Sequence, residues 1–381
     1  MAKKRPDNEG SIRQRPDGRW EARYRDAHGN RKSVYALTQS EVSAKLRDIL
    51  QQISKDEYCE PSRLTVGEWM QTWWNEYCVP TTRKNSASVT RQGITSHIMP
   101  ALGKIRLQRL RSDQIQGLVN KLTQSGYAPA TVRRVIASLR TAMRQAVANN
   151  LILRNPVDGV RLPKMEQKEI AVLSTNEQRL LLEALPGTDN GRALRFILGT
   201  GLRSSEALGL RWSDIKGDAF TVNQAITDYR DYESTSGPRI KREVAPPKSS
   251  AGKRTIPLTA SMQELLAEQW REQLKQKEAA LAKGVGWPKD GLVFTNQIGE
   301  PKDKSNLSRT LRQALAKAGL PHRGVHALRH TFATNAVQSG MDIRTLSEII
   351  GHTKIAFTLQ TYAHSDMDTK RKALEMMEAA M

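Results

Sequence analysis

Cysteine is almost missing from this chain: two residues, Cys59 and Cys78, in 381. So few thiols exclude a disulfide framework and a cysteine-based metal cluster, and they fit a reducing compartment. Long apolar runs are lacking too. No stretch approaches the ~20 residues that cross a bilayer, and the amino-terminal MAKKRPDNEG has no apolar secretory segment. Neither a membrane protein nor a secreted one is expected. The remaining shortage is negative charge. Asp and Glu number 39 against 60 Lys and Arg, which leaves a formal net charge of +21 and a pI near 10.1. A surplus of that size attracts a polyanion, and cationic side chains placed on phosphates release condensed counterions. The length suits two or three domains of roughly 100–200 residues.

Within these limits the chain reads as a multidomain, mainly α protein with small β-sheets. Residues 1–60 predict a three-stranded sheet followed by a helix. Ser11–Gln14 is a first strand, Asp17-Gly18 a hairpin turn, and Trp20–Arg25 an alternating strand with Trp20, Ala22 and Tyr24 on one face. A third strand over Arg31–Tyr35 leads to a helix capped by Thr38 or Ser40, with Ala44, Leu46, Ile49, Leu50 and Ile53 on its apolar side. Arg13, Arg15, Arg23 and Arg25 then face outward. They form either a surface that reads the major groove or a merely solvated face, and the basic field favours the first.

Residues 63–155 predict helices over Val66–Tyr77, Ser88–His97, Arg111–Gln124 and Thr131–Asn149. Trp69, Trp73 and Tyr77 recur at helical spacing and read as core rather than as a base-stacking platform. In the last helix Val132, Val135, Ile136, Leu139, Met143 and Val147 make an apolar face. Arg133, Arg134, Arg140 and Arg144 lie on or near its other side, placed for phosphates or simply solvated. Asn155-Pro156 and Leu162-Pro163 predict a linker over about residues 155–170. The remaining 170–381 predict a mixed α+β domain. It has strands at Ala219–Ala225 and Arg254–Pro257, a charged excursion over Thr227–Ala245, and a short amphipathic tail helix over Asp368–Met381 bearing Ala373, Leu374, Met377 and Ala380.

That last domain holds an ordered set of chemical groups. Arg203 stands in LGTGLRSSEALGLRWSDI, Lys248 in PPKSSAGKRTIPL, His326 and Arg329 in HALRHTFAT, His352 in LSEIIGHTK and Tyr362 in TYAHSD. Attack on a phosphodiester needs stabilisation of a pentavalent phosphorus, an activated nucleophile and a proton for the leaving oxygen. Arginine offers a rigid fork to non-bridging oxygens that lysine cannot match. A phenol, with a pKa of about 10, needs a proton acceptor and a positive field before it attacks. Glu206, one turn beyond Arg203, either orients a cationic group or is a simple i, i+3 partner. His330 is expected to point elsewhere. Tyr229 and Tyr232 compete with Tyr362, and Lys253 with Lys248. Zinc on His326, His330, His352 and His364 is disfavoured by the missing HExxH glutamate and cysteine partners.

The order Arg–Lys–His–Arg–His–Tyr resembles the constellation of the tyrosine recombinases, the phage integrase family found in phages and conjugative transposons. The resemblance is close over about the last two hundred residues. It implies a helical core-binding domain before the catalytic domain and an arm-DNA-binding module at the amino terminus. It also implies a site-specific recombinase that cleaves DNA through a 3′-phosphotyrosine and rejoins it by way of a Holliday junction. Tyr362 would be the nucleophile, Arg203 and Arg329 the phosphate ligands, Lys248 the acid for the 5′-oxygen, His326 the manager of the nucleophile's proton and His352 a donor to a phosphate oxygen. No cofactor or metal is expected. The implied partners are double-stranded DNA at core and arm sites, a homotetramer of the chain on that DNA, and DNA-bending or excision factors. The implied place is the nucleoid in a bacterial cytoplasm. A type IB topoisomerase and a non-cleaving DNA-binding regulator are the rival readings. The accessory amino-terminal module and the tail argue against the first, and the complete set of six groups against the second.

Overall fold

The computed structural model describes residues 10–26, 29–54, 58–165, 171–232, 240–247, 250–289 and 291–352, together with 355, 356, 359, 371, 375, 377 and 378. Lys248, Tyr362 and His364 lie outside the described residues, as does most of the expected tail helix, of which 371, 375, 377 and 378 are helical. The chain divides into two compact units, Met1–Glu166 and Gln167–Met381. Among the described residues no helix is long and apolar enough to cross a membrane.

The first unit opens with an antiparallel sheet of β1 (Ser11–Gln14), β2 (Trp20–Arg25) and β3 (Arg31–Ala36) in that order. Ile12, Ala22 and Val34 stand opposite one another and turn inward onto α1 (Gln39–Ser54), which supplies Val42 and Leu46. Thr38 caps α1 by accepting from the Glu41 amide at 3.3 Å. Val42, rather than the expected Ala44, heads the apolar stripe, because residues 42, 46, 49 and 53 share a face at 3.6 residues per turn.

Helices build the rest of this unit: α2 (Val66–Trp73), α3 (Val79–Thr81), α4 (Lys84–Gly93), α5 (Met99–Leu102), α6 (Ser112–Gln124) and α7 (Pro129–Ala148). π-helical turns at Trp74–Cys78 and Ile94–Ile98 join α2 to α3 and α4 to α5. Each turn ends just before a proline, Pro80 or Pro100. These residues lack the amide that an α-helix uses there, so the ladder widens and the Val79 and Met99 amides reach back five residues to Trp74 and Ile94. The widening turns Trp74 into the core beside Trp69 and Trp73. Both Trp69 and Trp74 satisfy their indole N–H on backbone carbonyls, of Ala142 and Ala87.

The expected linker starts too early. Val157 and Val160 are buried in the helical core, and α7 holds their segment down: Arg133 donates to the Pro163 carbonyl and Arg140 to that of Val157. A buried valine pair outweighs the turn-forming Asn155-Pro156, which bends the chain without releasing it.

The second unit contains α8 (Thr175–Ala184), α9 (Asp189–Thr200), α10 (Ser204–Gly209), β4 (Ile215–Lys216), β5 (Ala219–Val222), β6 (Ala225–Arg230), β7 (Ile240–Ala245), β8 (Arg254–Pro257), α11 (Ala260–Ala282), α12 (Lys304–Lys317), α13 (His326–Gln338) and α14 (Ile343–Ile350). Its core gathers α9, α10, β5, β8, α11 and α12 around Phe196, Phe220 and Phe294. One antiparallel sheet runs β4-β5-β8, and β6 and β7 form a separate ribbon that includes the charged excursion. The single strand expected over Ala219–Ala225 is divided at Asn223-Gln224, where the chain leaves the sheet for that ribbon. β7 pairs with β6 and β8 with β5, so these two consecutive strands lie in different sheets.

Candidate functional site

Two left-handed glycines position the site. Gly201 ends α9 at φ +66° and Gly351 ends α14 at the same angle. A Cβ on Gly201 would lie 2.3 Å from the Phe332 ring, so this close approach of α13 admits only glycine. Gly201 therefore closes one helix instead of opening the next, and Arg203 becomes the N-cap of α10. Glu206 answers it from one turn on, accepting from the Arg203 amide at 3.1 Å and from its guanidinium at 2.7 Å.

Three guanidinium groups converge on the last carbonyls of α14. Arg254 donates to Ile349, Arg329 to Ile350 and Arg203 to Gly351, the last at 3.2 Å. A helix carboxyl end carries partial negative charge and carbonyls without intrahelical partners, so cations suit it. Arg329 also donates to the Gly201 carbonyl at 2.7 Å. It thus ties together the two chain segments on which Arg203 and His352 stand, two residues beyond Gly201 and Ile350. Arg329 is only 1% exposed, whereas 37% of the Arg203 side chain faces solvent. Both forks carry bonds within the chain, Arg203 to Glu206 and Gly351 and Arg329 to Gly201 and Ile350, and of the two only Arg203 is partly exposed.

Glu206, 5% exposed, receives Arg254 at 2.9 Å as well as Arg203. Burial works against its carboxylate, yet the hydrogen bond and charge of Arg254, followed by those of Arg203, outweigh it and hold the pKa below the ordinary value. The histidines shift for the opposite balance. Burial, then the Arg329 and Arg203 charges, lowers His352 to about 4. Burial, then His326 and Arg329, lowers His330 to about 4 as well. His326, which keeps one edge in solvent at the first turn of α13, is lowered by partial desolvation and then by the same two arginines. His330 does not point elsewhere. It stands one turn beyond His326, and the two rings meet edge to face with centroids 4.5 Å apart. All three shifts favour the uncharged imidazole beside the cationic cluster.

Of the expected residues, Arg203, Glu206, His326, Arg329 and His352 are thus brought together. Arg254 is the participant that sequence reasoning missed. Nothing near it in sequence announces it, since its partners Glu206 and Ile349 are 48 and 95 residues away. Lys253 beside it is exposed, and Tyr229 lies in β6 of the ribbon. No group of three or more potential metal ligands occurs among the described residues.

The basic residues of the first unit separate into two kinds. Arg13, Arg15, Arg23 and Arg25 are exposed on the sheet, with Arg13 and Arg23 both bound to a buried Glu21 that also accepts from Ser33. The hydrogen bond from Arg13 is the main reason that the Glu21 pKa falls to about 2; burial opposes it, and the Ser33 and Arg23 bonds assist. On α7, Arg134 and Arg144 are exposed, but Arg133 and Arg140 are half-buried and bonded to the segment that follows the helix. The latter two each spend one donor on a backbone carbonyl of that segment.

Known proteins share this architecture. The model of the phage integrase family matches residues 171–369, and that of the phage integrase N-terminal SAM-like domain matches residues 65–123. A tyrosine recombinase XerC-like protein of Caldanaerobacter subterraneus is 30% identical over 93% of both chains. The transposase of transposon Tn916 from Enterococcus faecalis is 26% identical over 97% of this chain and 95% of its own. Among solved structures, a Tn1549 transposon integrase in complex with a circular intermediate DNA superposes with a TM-score of 0.67 at 21% identity, covering 82% of this chain and 99% of that one. A lambda integrase tetramer bound to a Holliday junction gives 0.59 at 18% identity, covering 96% and 99%. The chain therefore belongs to the phage integrase family, and it is a tyrosine site-specific recombinase.

Proposed function

We propose that the chain is the integrase of a phage or integrative element. It binds inverted core sites as a tetramer, cleaves one strand at each, exchanges the ends through a four-way junction and repeats the cycle on the other strands. The observation that carries this reading is the convergence of Arg203, Arg254 and Arg329 on the end of α14, beside His326 and His352. With Glu206 the only carboxylate among these contacts, the cluster keeps a surplus of positive charge where a phosphate would sit.

Arg203 meets a non-bridging oxygen of the scissile phosphate, while Arg329 adds its charge from below and fixes the segments around it. The Tyr362 oxygen attacks phosphorus as its proton passes to neutral His326. His352 donates to a second oxygen, and Lys248 protonates the departing 5′-oxygen. The product is a 3′-phosphotyrosine and a free 5′-hydroxyl. The new ester retains the energy of the bond it replaced, so rejoining is the same step reversed with another strand's hydroxyl as nucleophile and needs no ATP.

The basic strand face of residues 1–60 would hold arm sites, 63–155 would grip the core site, and 170–381 would cut. The tail beyond Asp368 would couple neighbouring protomers. Bending or excision factors would set direction, and the assembly would work on the nucleoid of a bacterial cytoplasm. A nicked duplex made from the DNA flanking the gene tests the centre of this reading. Wild-type protein is expected to become covalently attached to it in EDTA, and Tyr362→Phe to form no adduct at all. Adduct formation by that variant, or a strict need for a divalent ion, would remove the proposal. Exchange between two labelled duplexes separates a recombinase from a topoisomerase, which relaxes DNA without joining partners.

A further inference from the structure

Arg254 has no place in the steps above, yet three of its nitrogens are bonded within the cluster. Its Nε donates to the Ile349 carbonyl, one terminal nitrogen to the Gly252 carbonyl at 3.0 Å, and the other to Glu206 at 2.9 Å. Only 7% of its side chain is exposed, so it is not available to touch a duplex. Room for it is made by Gly351, where a Cβ would lie 2.9 Å from its guanidinium.

The two oxygens of Glu206 are divided. Oε1 faces the Arg203 guanidinium, while Oε2 takes both the Arg203 amide and Arg254. Arg254 thus sets the rotation of the carboxylate, and the carboxylate sets the direction of the one partly exposed fork in the site. We propose that Arg254 is a positioning residue that aims Arg203 at the scissile phosphate through Glu206. This rests on the reading of Arg203 as a phosphate ligand given above. Lysine cannot substitute, because three bonds in three in-plane directions require a planar guanidinium. Burial fixes the relay at its far end: Arg254 is held by α14 and by the turn before β8, so Glu206 cannot swing without breaking backbone contacts.

The test uses the full-length chain and the nicked duplex from the flanking DNA, with either an ordinary phosphodiester or a methylphosphonate at the cleavage position. The methylphosphonate has lost the negative charge that Arg203 would stabilise. Arg254→Gln is expected to slow single-turnover adduct formation on the diester by about 10- to 100-fold, the scale for misplacing a group by about 1 Å. Duplex affinity should be unchanged, and Arg254→Lys should not restore the rate. On the methylphosphonate the same variant should fall within about threefold of wild type, because a neutral phosphorus needs little from a guanidinium. An equal defect on both substrates, or a wild-type rate on the diester, would overturn the proposal. So would a defect cured by a sulfur leaving group, which would put Arg254 on the side of Lys248.

Should Arg254→Gln fail to fold, Glu206→Gln must show the same substrate-dependent defect; a defect indifferent to the methylphosphonate would count as refutation. Absence of any wild-type adduct would instead strike the reading of the whole site, so the two failures are told apart.

Discussion

Two buried glutamates, each gripped by a pair of arginines, do different work in the two units. Glu21 on the amino-terminal sheet holds Arg13 and Arg23, whose side chains remain 57% and 49% exposed. Glu206 holds Arg203 and Arg254, and there the cations also end on backbone carbonyls of α14. On the sheet the carboxylate orders cations at one end and leaves the other in water. In the catalytic unit both ends are fixed. If the sheet holds DNA as proposed, the difference separates binding from chemistry. A surface that tracks a polyanion tolerates side chains that adjust, whereas stabilising a pentavalent phosphorus needs charges that do not reorganise when the reaction occurs.

The sharpest way to break this contrast is to remove one arginine from each cluster. Arg329→Ala leaves the carbonyls of Gly201 and Ile350 without their donor in a buried place. Unsatisfied buried acceptors cost about 1–3 kcal/mol each, so a loss of roughly 2–6 kcal/mol is expected in chemical denaturation. Cleavage should fall by about 10²- to 10³-fold, the range for losing one electrostatic donor. Arg13→Ala leaves Glu21 with Arg23 and Ser33; it is expected to cost clearly less stability than Arg329→Ala and to leave cleavage of a core-site duplex intact. Similar losses of stability in the two variants would dissolve the distinction.

Acid should separate the units next. His330 and His352 have pKa values near 4 in the folded chain against an ordinary 6.5. Below 6.5 the unfolded chain takes up protons that the folded one refuses. The stability of the catalytic unit is therefore complete above 6.5 and declines as pH falls from there toward 4. Glu21 falls from 4.5 to about 2, so its contribution is present above 4.5 and is lost only as pH drops toward 2. Hydrogen exchange followed segment by segment should show α13 and α14 losing protection between pH 6.5 and 4 while β1 to β3 keep theirs. Simultaneous loss would contradict these shifts, and His352→Gln should make the catalytic unit less acid-sensitive.

What the sequence disclosed about these clusters follows from distance along the chain. The sheet and α1 were legible because alternation and 3.6-residue spacing are local, and Arg203 with Glu206 was legible as an i, i+3 pair. Arg254 was not, because its bonds reach 48 and 95 residues away and a single arginine at a strand's start has no local signature. The ordering of Arg203, His326, Arg329 and His352 named the groups without revealing that Arg329 is sealed beneath the others. His330 was misjudged although its i, i+4 spacing from His326 was visible, because the motif drew attention to Arg329 on the same face. The bonds of Arg133 and Arg140 to the segment after the helix were not legible beside their phosphate-facing reading, since the periodicity of α7 carries no information on the segment that returns over it. The π-helical turns needed one further step, from a proline to the amide it cannot supply.

The smallest expected effect concerns Glu21 itself. If arm DNA lies on β1 to β3, the carboxylate narrows the directions open to Arg13 and Arg23 without fixing them, and a fork so restricted helps to distinguish a base edge from a phosphate. Glu21→Gln removes one negative charge from a basic face, so non-specific affinity should rise slightly and its salt dependence should steepen. Discrimination between arm DNA and unrelated duplex should fall, by about five- to tenfold, at the low end of the 1–3 kcal/mol that one bidentate base contact supplies. Fluorescence anisotropy on both duplexes across a salt series measures the two effects separately. A variant that gains affinity for both duplexes equally and keeps its preference would mean that Glu21 only relieves repulsion between neighbouring arginines. Sequence reading would then have to lie with Arg15, Arg25 or residues off the sheet, and the two glutamates would no longer be comparable as organisers of arginine.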